Sequence, residues 1–268
     1  MSTLKPRATG ADIRIVSSNI LFDKGLADRL SLIADYYREA DADVIGMQEV
    51  NSVGTELYSM LAELYQPVTR AHEDGKHCFT PILYRTDRFD LIEGGSALYR
   101  LRATDTKSMA WAVLADKASG KKLAVINTHS AIILPFHKLE ATDPVEGEQW
   151  RTDNVLQMLE KRDELRAKYG AALPVFITGD FNAFAKDTSI KTMKQAMTDA
   201  ADIAILGATE GINSFHGQPG RPSPVGTPID FIFVTDDVVK IHLHQIPHDE
   251  KASAISDHCP VCVDASLI

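Results

Sequence analysis

Short runs of β-branched and aromatic residues recur along the chain, and most of them end in a polar residue. IRIVSSN (13–19), DVIGMQE (43–49), PILYR (81–85), AWAVLAD (110–116), KLAVINTH (122–129), PVFITGDFN (174–182), IDFIFVTD (229–236) and PVCVDASL (260–267) have the length and composition of strands. Several are apolar on both faces, which predicts central strands in a covered sheet. Apolar residues fall at helical spacing in 26–40, 54–64 and 148–169, and less regularly in 188–201. In the longest of these, Val155, Leu156, Leu159 and Leu165 form the expected buried stripe. Strands alternate with helices early and adjoin other strands later, which predicts an α/β fold with mixed sheets. The Gly- and Pro-rich stretch 203–228 reads as a long surface loop. With no repeat or linker, the expected organisation is a flexible tail over 1–10 and one domain over 11–268.

Composition narrows the function classes. At 268 residues, 44% hydrophobic and 24% charged, the chain is ordinary for a globular protein. No run approaches the roughly 20 apolar residues of a membrane span, and the N-terminus lacks the apolar core of a secretory signal. The expected location is the cytoplasm, or outside the cell if a leader has been removed. The net charge of −9, from 37 acidic and 28 basic residues, is opposite to that of a tight non-specific nucleic-acid binder. Nucleic acid stays open as a partner, but the charge does not favour it. Carboxylates gathered around a cation would also make the chain acidic, and the bound metal would restore attraction for phosphate. Cys78, Cys259 and Cys262 suggest no disulfide framework. The CPVC at 259–262 has no second ligand pair, so its cysteines read as small hydrophobic residues beside a strand.

The polar residues at the strand ends carry the chemistry. Asn19 closes the first run, Glu49 the second and His129 the fifth; Asp180 and Asn182 end the sixth. Asp230 opens the seventh, and Asp257 and His258 precede the last. Strand ends of layered folds converge on one rim, where carboxylates, an amide and a histidine suit a hard cation and a general base. Singly, each has a plainer reading, such as an Asx-turn in GDFN or a capping turn in SDH. Jointly they exceed what turn chemistry explains.

Asn19, QE at 48–49, NTH at 127–129, GDFN at 179–182, IDFIF at 229–233 and SDH at 256–258 together resemble the endonuclease/exonuclease/phosphatase superfamily, with its deoxyribonuclease I-like fold. The matches keep the family's order and span 13–268. The resemblance implies a four-layer α/β sandwich, two packed mixed β-sheets flanked by helices. It implies a divalent-metal-dependent phosphoesterase that hydrolyses a phosphodiester or phosphomonoester by in-line attack of activated water. The alternative within the fold is a non-specific DNA or RNA nuclease. A non-catalytic binding protein is the alternative of another class, disfavoured because Glu49, Asp180, Asn182, Asp230 and His258 are all present.

By the same resemblance Glu49 is the principal metal ligand, with Asn19 and Asp257 near the metal directly or through water. Mg²⁺ suits such a site, with Mn²⁺ as the alternative. His258 is implied as general base or its electrostatic equivalent, oriented by Asp230. Asp180 and Asn182 flank the scissile phosphate, and His129 contacts it. His129 also sets the chain apart from abasic-site endonucleases, which usually lack that histidine. One departure stands out. The Glu that many relatives carry six residues before the pair Tyr84–Arg85 falls here on Cys78, so the partner of His129 is lost or replaced, with Glu73 and His77 as candidates. Arg100 and Arg102, in the basic stretch 99–107 with Lys107, are candidate substrate-binding residues, a solvated loop being the plainer reading. The apolar insertion 130–147 reads as a cover for the pocket mouth or a subunit contact. FHG at 215–217 recurs in bacterial hydrolase-like members. Oligomeric state is left open.

Overall fold

The computed structural model describes residues 3–102, 104–133, 143–207, 213–221, 223 and 225–268. In chain order the elements are β1 (Ile13–Asn19), α1 (Leu26–Ala40), β2 (Val44–Gln48), α2 (Glu56–Met60), β3 (Tyr65–Pro67), β4 (Ile82–Arg85), β5 (Phe89–Leu98), β6 (Ser108–Asp116) and β7 (Lys122–His129). They continue as α3 (Pro144–Tyr169), β8 (Val175–Asp180), α4 (Thr188–Lys194), β9 (Thr198–Asp199), α5 (Ala200–Ile203), β10 (Asp230–Val234), β11 (Val239–Gln245), α6 (Glu250–Ala254) and β12 (Val261–Leu267).

Two six-stranded mixed sheets result, with orders β11-β12-β1-β2-β4-β3 and β5-β6-β7-β8-β10-β9. Each contains one parallel pair, β1 with β2 and β7 with β8. Alternation along β1 shows how the layers arise. Ile13 and Ile15 point inward to meet Val125, Phe176 and Ile232 of the other sheet. Val16 points outward, in one cluster with Leu30, Ile33 and Tyr37 of α1. On the far side, Val155, Met158 and Leu165 of α3 pack with Ile126, Ile177 and Phe233. This is the expected four-layer α/β sandwich, deoxyribonuclease I-like in architecture, and it explains the strands that are apolar on both faces.

A polar clamp interrupts the apolar seam between the sheets. Asn127 on β7 is fully buried and accepts from Gln48 Nε2 (2.7 Å) and Thr178 Oγ1 (3.0 Å). Its amide nitrogen donates to the Met47 carbonyl (2.6 Å) across the seam. Gly46 makes room, since a Cβ there would lie 2.4 Å from Thr178 Oγ1 and 2.5 Å from Asn127 Oδ1. The sheets approach too closely at this point for any side chain.

Some elements depart from the sequence pattern. Helix α3 starts at Pro144, where Asp143 caps it by accepting from the Val145 and Glu146 N–H groups. Its buried stripe runs through Val155, Met158, Leu159 and Leu165, while Leu156, about a quarter-turn further round, is 44% exposed. The weaker helical pattern at 188–201 ends at Lys194 and passes into β9 and α5. The segment expected to be a flexible tail is tied down over residues 4–8. Leu4 and Lys5 N–H groups donate to Asp249 and Gln245, and Ala8 N–H donates to Asp264. Among the described residues no helix is long and apolar enough to cross a membrane.

Candidate active site

Two parallel strand pairs facing each other bring four strand ends to one rim. Register places Asn19 beside Gln48 and His129 beside Asp180, and antiparallel pairing places Asp230 at the level of Asp180. The loop before β12 brings in Asp257 and His258. Ser214 fixes the start of β10, its hydroxyl accepting from the Ile229 and Asp230 N–H groups (3.0 and 3.1 Å). The N–H groups of His216 and Gly217 donate to the Asp257 carbonyl, so FHG braces SDH.

Contacts across the seam join these residues. His258 Nδ1 lies 2.8 Å from Asp230 Oδ2, and its Nε2 faces Asp180 Oδ2 at 3.8 Å. Asn19 Nδ2 donates to Glu49 Oε1 and Asp180 Oδ2, both at 3.1 Å, while Asn19 Oδ1 accepts from Leu21 N–H. In this orientation Asn19 presents nitrogen to the carboxylates and spaces them. His129 Nε2 stands 3.5 Å from Asp180 Oδ2 and 3.9 Å from Glu49 Oε1. Asn182 donates to the Ser130 carbonyl (3.1 Å), and Arg151 of α3 holds the Asn182 carbonyl. Of the four non-glycine residues with positive φ among those described, three sit here: Leu21, Glu49 and Asn182. Left-handed backbone costs about 1–2 kcal/mol at such residues, and its concentration on one rim marks a site whose shape outweighs local preference.

Electrostatics set the protonation pattern. Burial first, then repulsion from Asp230, pushes the Asp180 carboxyl up to about 7. Burial also works against a charged His258, but Asp230, then Asp180 and Asp257, outweigh it and hold the imidazole up to about 10. Burial and the nearby Glu49 charge raise Asp257. Burial, with Lys107 and His258 nearby, keeps His129 neutral. Carboxylates crowded this way favour a divalent cation, and ligand atoms of Glu49, His129 and Asp180 lie close enough to share one. Asp180, Asp230 and His258 form a second such group, but there His258 Nδ1 is committed to Asp230.

The site opens into a cavity of about 580 Å³ that reaches Glu49, His129, Asp180, Asn182, Asp257 and His258. Arg100 and Arg102 do not line it. Arg100 pairs with Asp153 and Glu160 of α3, and Arg102 with Asp105. The basic side chain that does enter is Lys107, buried, its Nζ 2.7 Å from His129 Nε2. The sequence signal was there, in the same basic stretch, but only position at the start of β6 selects the lysine. Phe22, Thr104, Thr106, Ile132, Phe215 and Ile229 complete the described lining, all outside the polar strand-end pattern. Cys78 is buried, its sulfur 3.9 Å from Thr80 Oγ1. Neither Glu73, exposed, nor His77, bonded to the Val50 carbonyl, partners His129. The insertion expected over 130–147 falls outside the described residues at 134–142. Cys259 and Cys262 are free and buried, without a zinc-type ligand set among the described residues.

The sequence matches the model of the Endonuclease/Exonuclease/phosphatase family over residues 16–258, and the chain belongs to that family. Its members are phosphoester hydrolases, and this chain is an enzyme of that class; the family is divalent-metal dependent, and Glu49, His129 and Asp180 are groups placed to bind an ion. Solved structures agree in fold. An endonuclease/exonuclease/phosphatase from Bacteroides vulgatus superposes with a TM-score of 0.74 at 24% identity, covering 96% of this chain and 99% of that one. A mannosyl-6-phosphatase of Bacteroides thetaiotaomicron gives 0.75 at 22%, covering 96% and 100%. The human Nocturnin catalytic domain with bound sulfate gives 0.69 at 18%, covering 96% and 94%. No curated protein sequence matches this one.

Proposed function

We propose that this enzyme hydrolyses a small phosphomonoester or phosphodiester by in-line attack of water, with Mg²⁺ or Mn²⁺ as its cation. The observation that carries the reading is the line Asp230–His258–Asp180, with His258 Nε2 and Asp180 Oδ2 3.8 Å apart at the cavity floor. Glu49 would hold the metal, with Asp257 and Asp180 beside it. When bound, the cation neutralises charge gathering on the phosphoryl oxygens and leaving oxygen. Asp230 fixes the ring of His258 and keeps it protonated, so His258 stabilises the developing charge through Nε2–H, the electrostatic form of its expected role. Asp180, with Oδ2 3.8 Å from His258 Nε2, takes the proton of the attacking water. Asn182 orients the phosphate through its side-chain amide. Lys107 brings positive charge to the phosphate, and neutral His129 accepts from the lysine through Nε2 beside it.

A small substrate fits better than a polymer. Among the described lining residues Lys107 is the one unconditional cation, whereas a track for a nucleic-acid strand needs a run of them. The Bacteroides thetaiotaomicron mannosyl-6-phosphatase supports the same reading; the endonucleases and exonucleases of the family keep a nucleic-acid substrate as the second one. The deciding experiment is a Mg²⁺/Mn²⁺ panel of bis-p-nitrophenyl phosphate, sugar and inositol phosphates, sphingomyelin, RNA and plasmid DNA. Metal-stimulated turnover of small esters is the expected result. Cleavage confined to DNA or RNA would replace the small-molecule reading with a nuclease.

A further inference from the structure

Two phenylalanines stand in the active-site cavity with much of their surface uncovered, Phe22 41% and Phe215 42% exposed. Large aromatic side chains left in water at a cleft are surfaces for a ligand to cover. Neither is held loosely. The Phe22 N–H donates to Glu49 Oε2 (3.1 Å), which ties its backbone to the metal-side carboxylate. Phe215 pairs with His258 across an isolated β-bridge, and the two ring centres are 4.9 Å apart. Each phenylalanine is therefore anchored through its backbone to a residue of the proposed site, Phe22 to Glu49 and Phe215 to His258.

The polar lining is sparse beyond the reacting groups. Thr104 and Thr106 hydroxyls bond each other at 2.6 Å, and Ile132 and Ile229 add further apolar wall. Such a surface has little to offer the ring of hydroxyls on a sugar, which needs side chains that donate and accept in pairs. It suits a flat, weakly polar ring beside one phosphate.

We infer that the preferred substrate is an ester of a single phosphate whose alcohol carries a planar aromatic ring, seated on Phe22 and Phe215. This rests on the phosphoesterase reading above. The probe is phenylphosphonate, which cannot be hydrolysed as an ester, titrated calorimetrically against the full chain with Mg²⁺, beside methylphosphonate and mannose 6-phosphate. Phenylphosphonate should bind at least about tenfold more tightly than either. Phe22→Ala and Phe215→Ala should each narrow that preference at least about threefold, and Phe215→Trp should keep it. Equal affinity for the two phosphonates, or a preference unchanged in both alanine variants, overturns the inference. Turnover of phenyl phosphate and glycerol phosphate separates the two readings. Selective aryl binding without turnover of either supports the aromatic seat and removes the catalytic proposal. Turnover of both at equal kcat/KM keeps the catalytic proposal and overturns the aromatic seat.

Discussion

Lys107 places its ammonium 2.7 Å from Nε2 of His129, within the group of carboxylates that closes the site. An ammonium only donates, so Nε2 accepts and the imidazole proton sits on Nδ1. That Nδ1 is buried and meets no hydrogen-bond partner among the described residues. Replacing Lys107 with Met should move the proton to Nε2, now facing Asp180 and Glu49. Imidazole ¹⁵N shifts should report the change of tautomer, and kcat/KM should fall at least about tenfold with the lost phosphate contact. Unchanged ring shifts would remove the lysine as the group that sets the tautomer.

His258 depends on Asp230 for both orientation and charge. Asp230→Asn should lower kcat by about a hundredfold or more while leaving the fold intact, because the amide neither holds the imidazolium nor fixes its ring. His258→Ala should lose at least as much. A loss under about tenfold in either variant would take the pair out of the chemistry.

Glu49 is tested without turnover. Saturating Mn²⁺ should raise the unfolding temperature of the native enzyme by mass action, by an amount equivalent to about 2.7 kcal/mol at a hundredfold excess over Kd. Glu49→Gln should abolish most of that rise. It should also leave the metal-free protein at least as stable as before, since Asp257 loses a repelling neighbour. Equal metal-induced stabilisation in both proteins would sink the assignment.

His244 supplies a pH dependence of stability remote from the metal-side carboxylates. Burial lowers its imidazole to about 4, whereas the unfolded chain takes up that proton near 6.5. The unfolded state therefore binds more protons between these values, and stability falls as pH drops from about 6.5 to about 4. The full loss is on the order of 3 kcal/mol at about 1.4 kcal/mol per pH unit. Urea midpoints across that window should show it, and His244→Gln should flatten the slope by about one proton. An identical slope in the variant would assign the effect to other buried histidines.

The clamp between the sheets should be costly to break. Asn127→Leu strands Gln48, Thr178 and the Met47 carbonyl in a dry seam, and a loss of about 3 kcal/mol or more is expected. Gly46→Ala should cost about 1–3 kcal/mol through overpacking. Urea unfolding measures both, and a change under about 0.5 kcal/mol in either would mean the seam relaxes freely.

The strand-end residues were legible because a polar group closing an apolar run is conspicuous one residue at a time. β1 and β7 were legible to their last residue for the same reason. β5 was not, since FDLIEGGSAL at a sheet edge buries only two of its ten residues and carries two glycines. β11 was hidden by His242 and His244, which break its apolar pattern. Within the site, composition pointed to Arg100 and Arg102, yet a dense basic stretch does not say which side chain turns inward. That choice is made by Lys107 standing next to the first residue of β6, opposite the end of β7. Phe22 escaped for the complementary reason, since an apolar residue in a loop has no periodicity to betray its direction, and Phe215 stood out only as part of FHG, which does not say where its ring points.

The hydrogen bond from His258 to Asp230 runs from one sheet to the other, and so does that from Asn19 to Asp180. On the proposed mechanism, catalytic competence is a property of the joint between two halves, not of either half. Slight parting of the sheets should silence the enzyme before circular dichroism registers any loss of strand. Activity then becomes a gauge of sheet docking, and two fragments that re-associate should recover it only when the seam has closed.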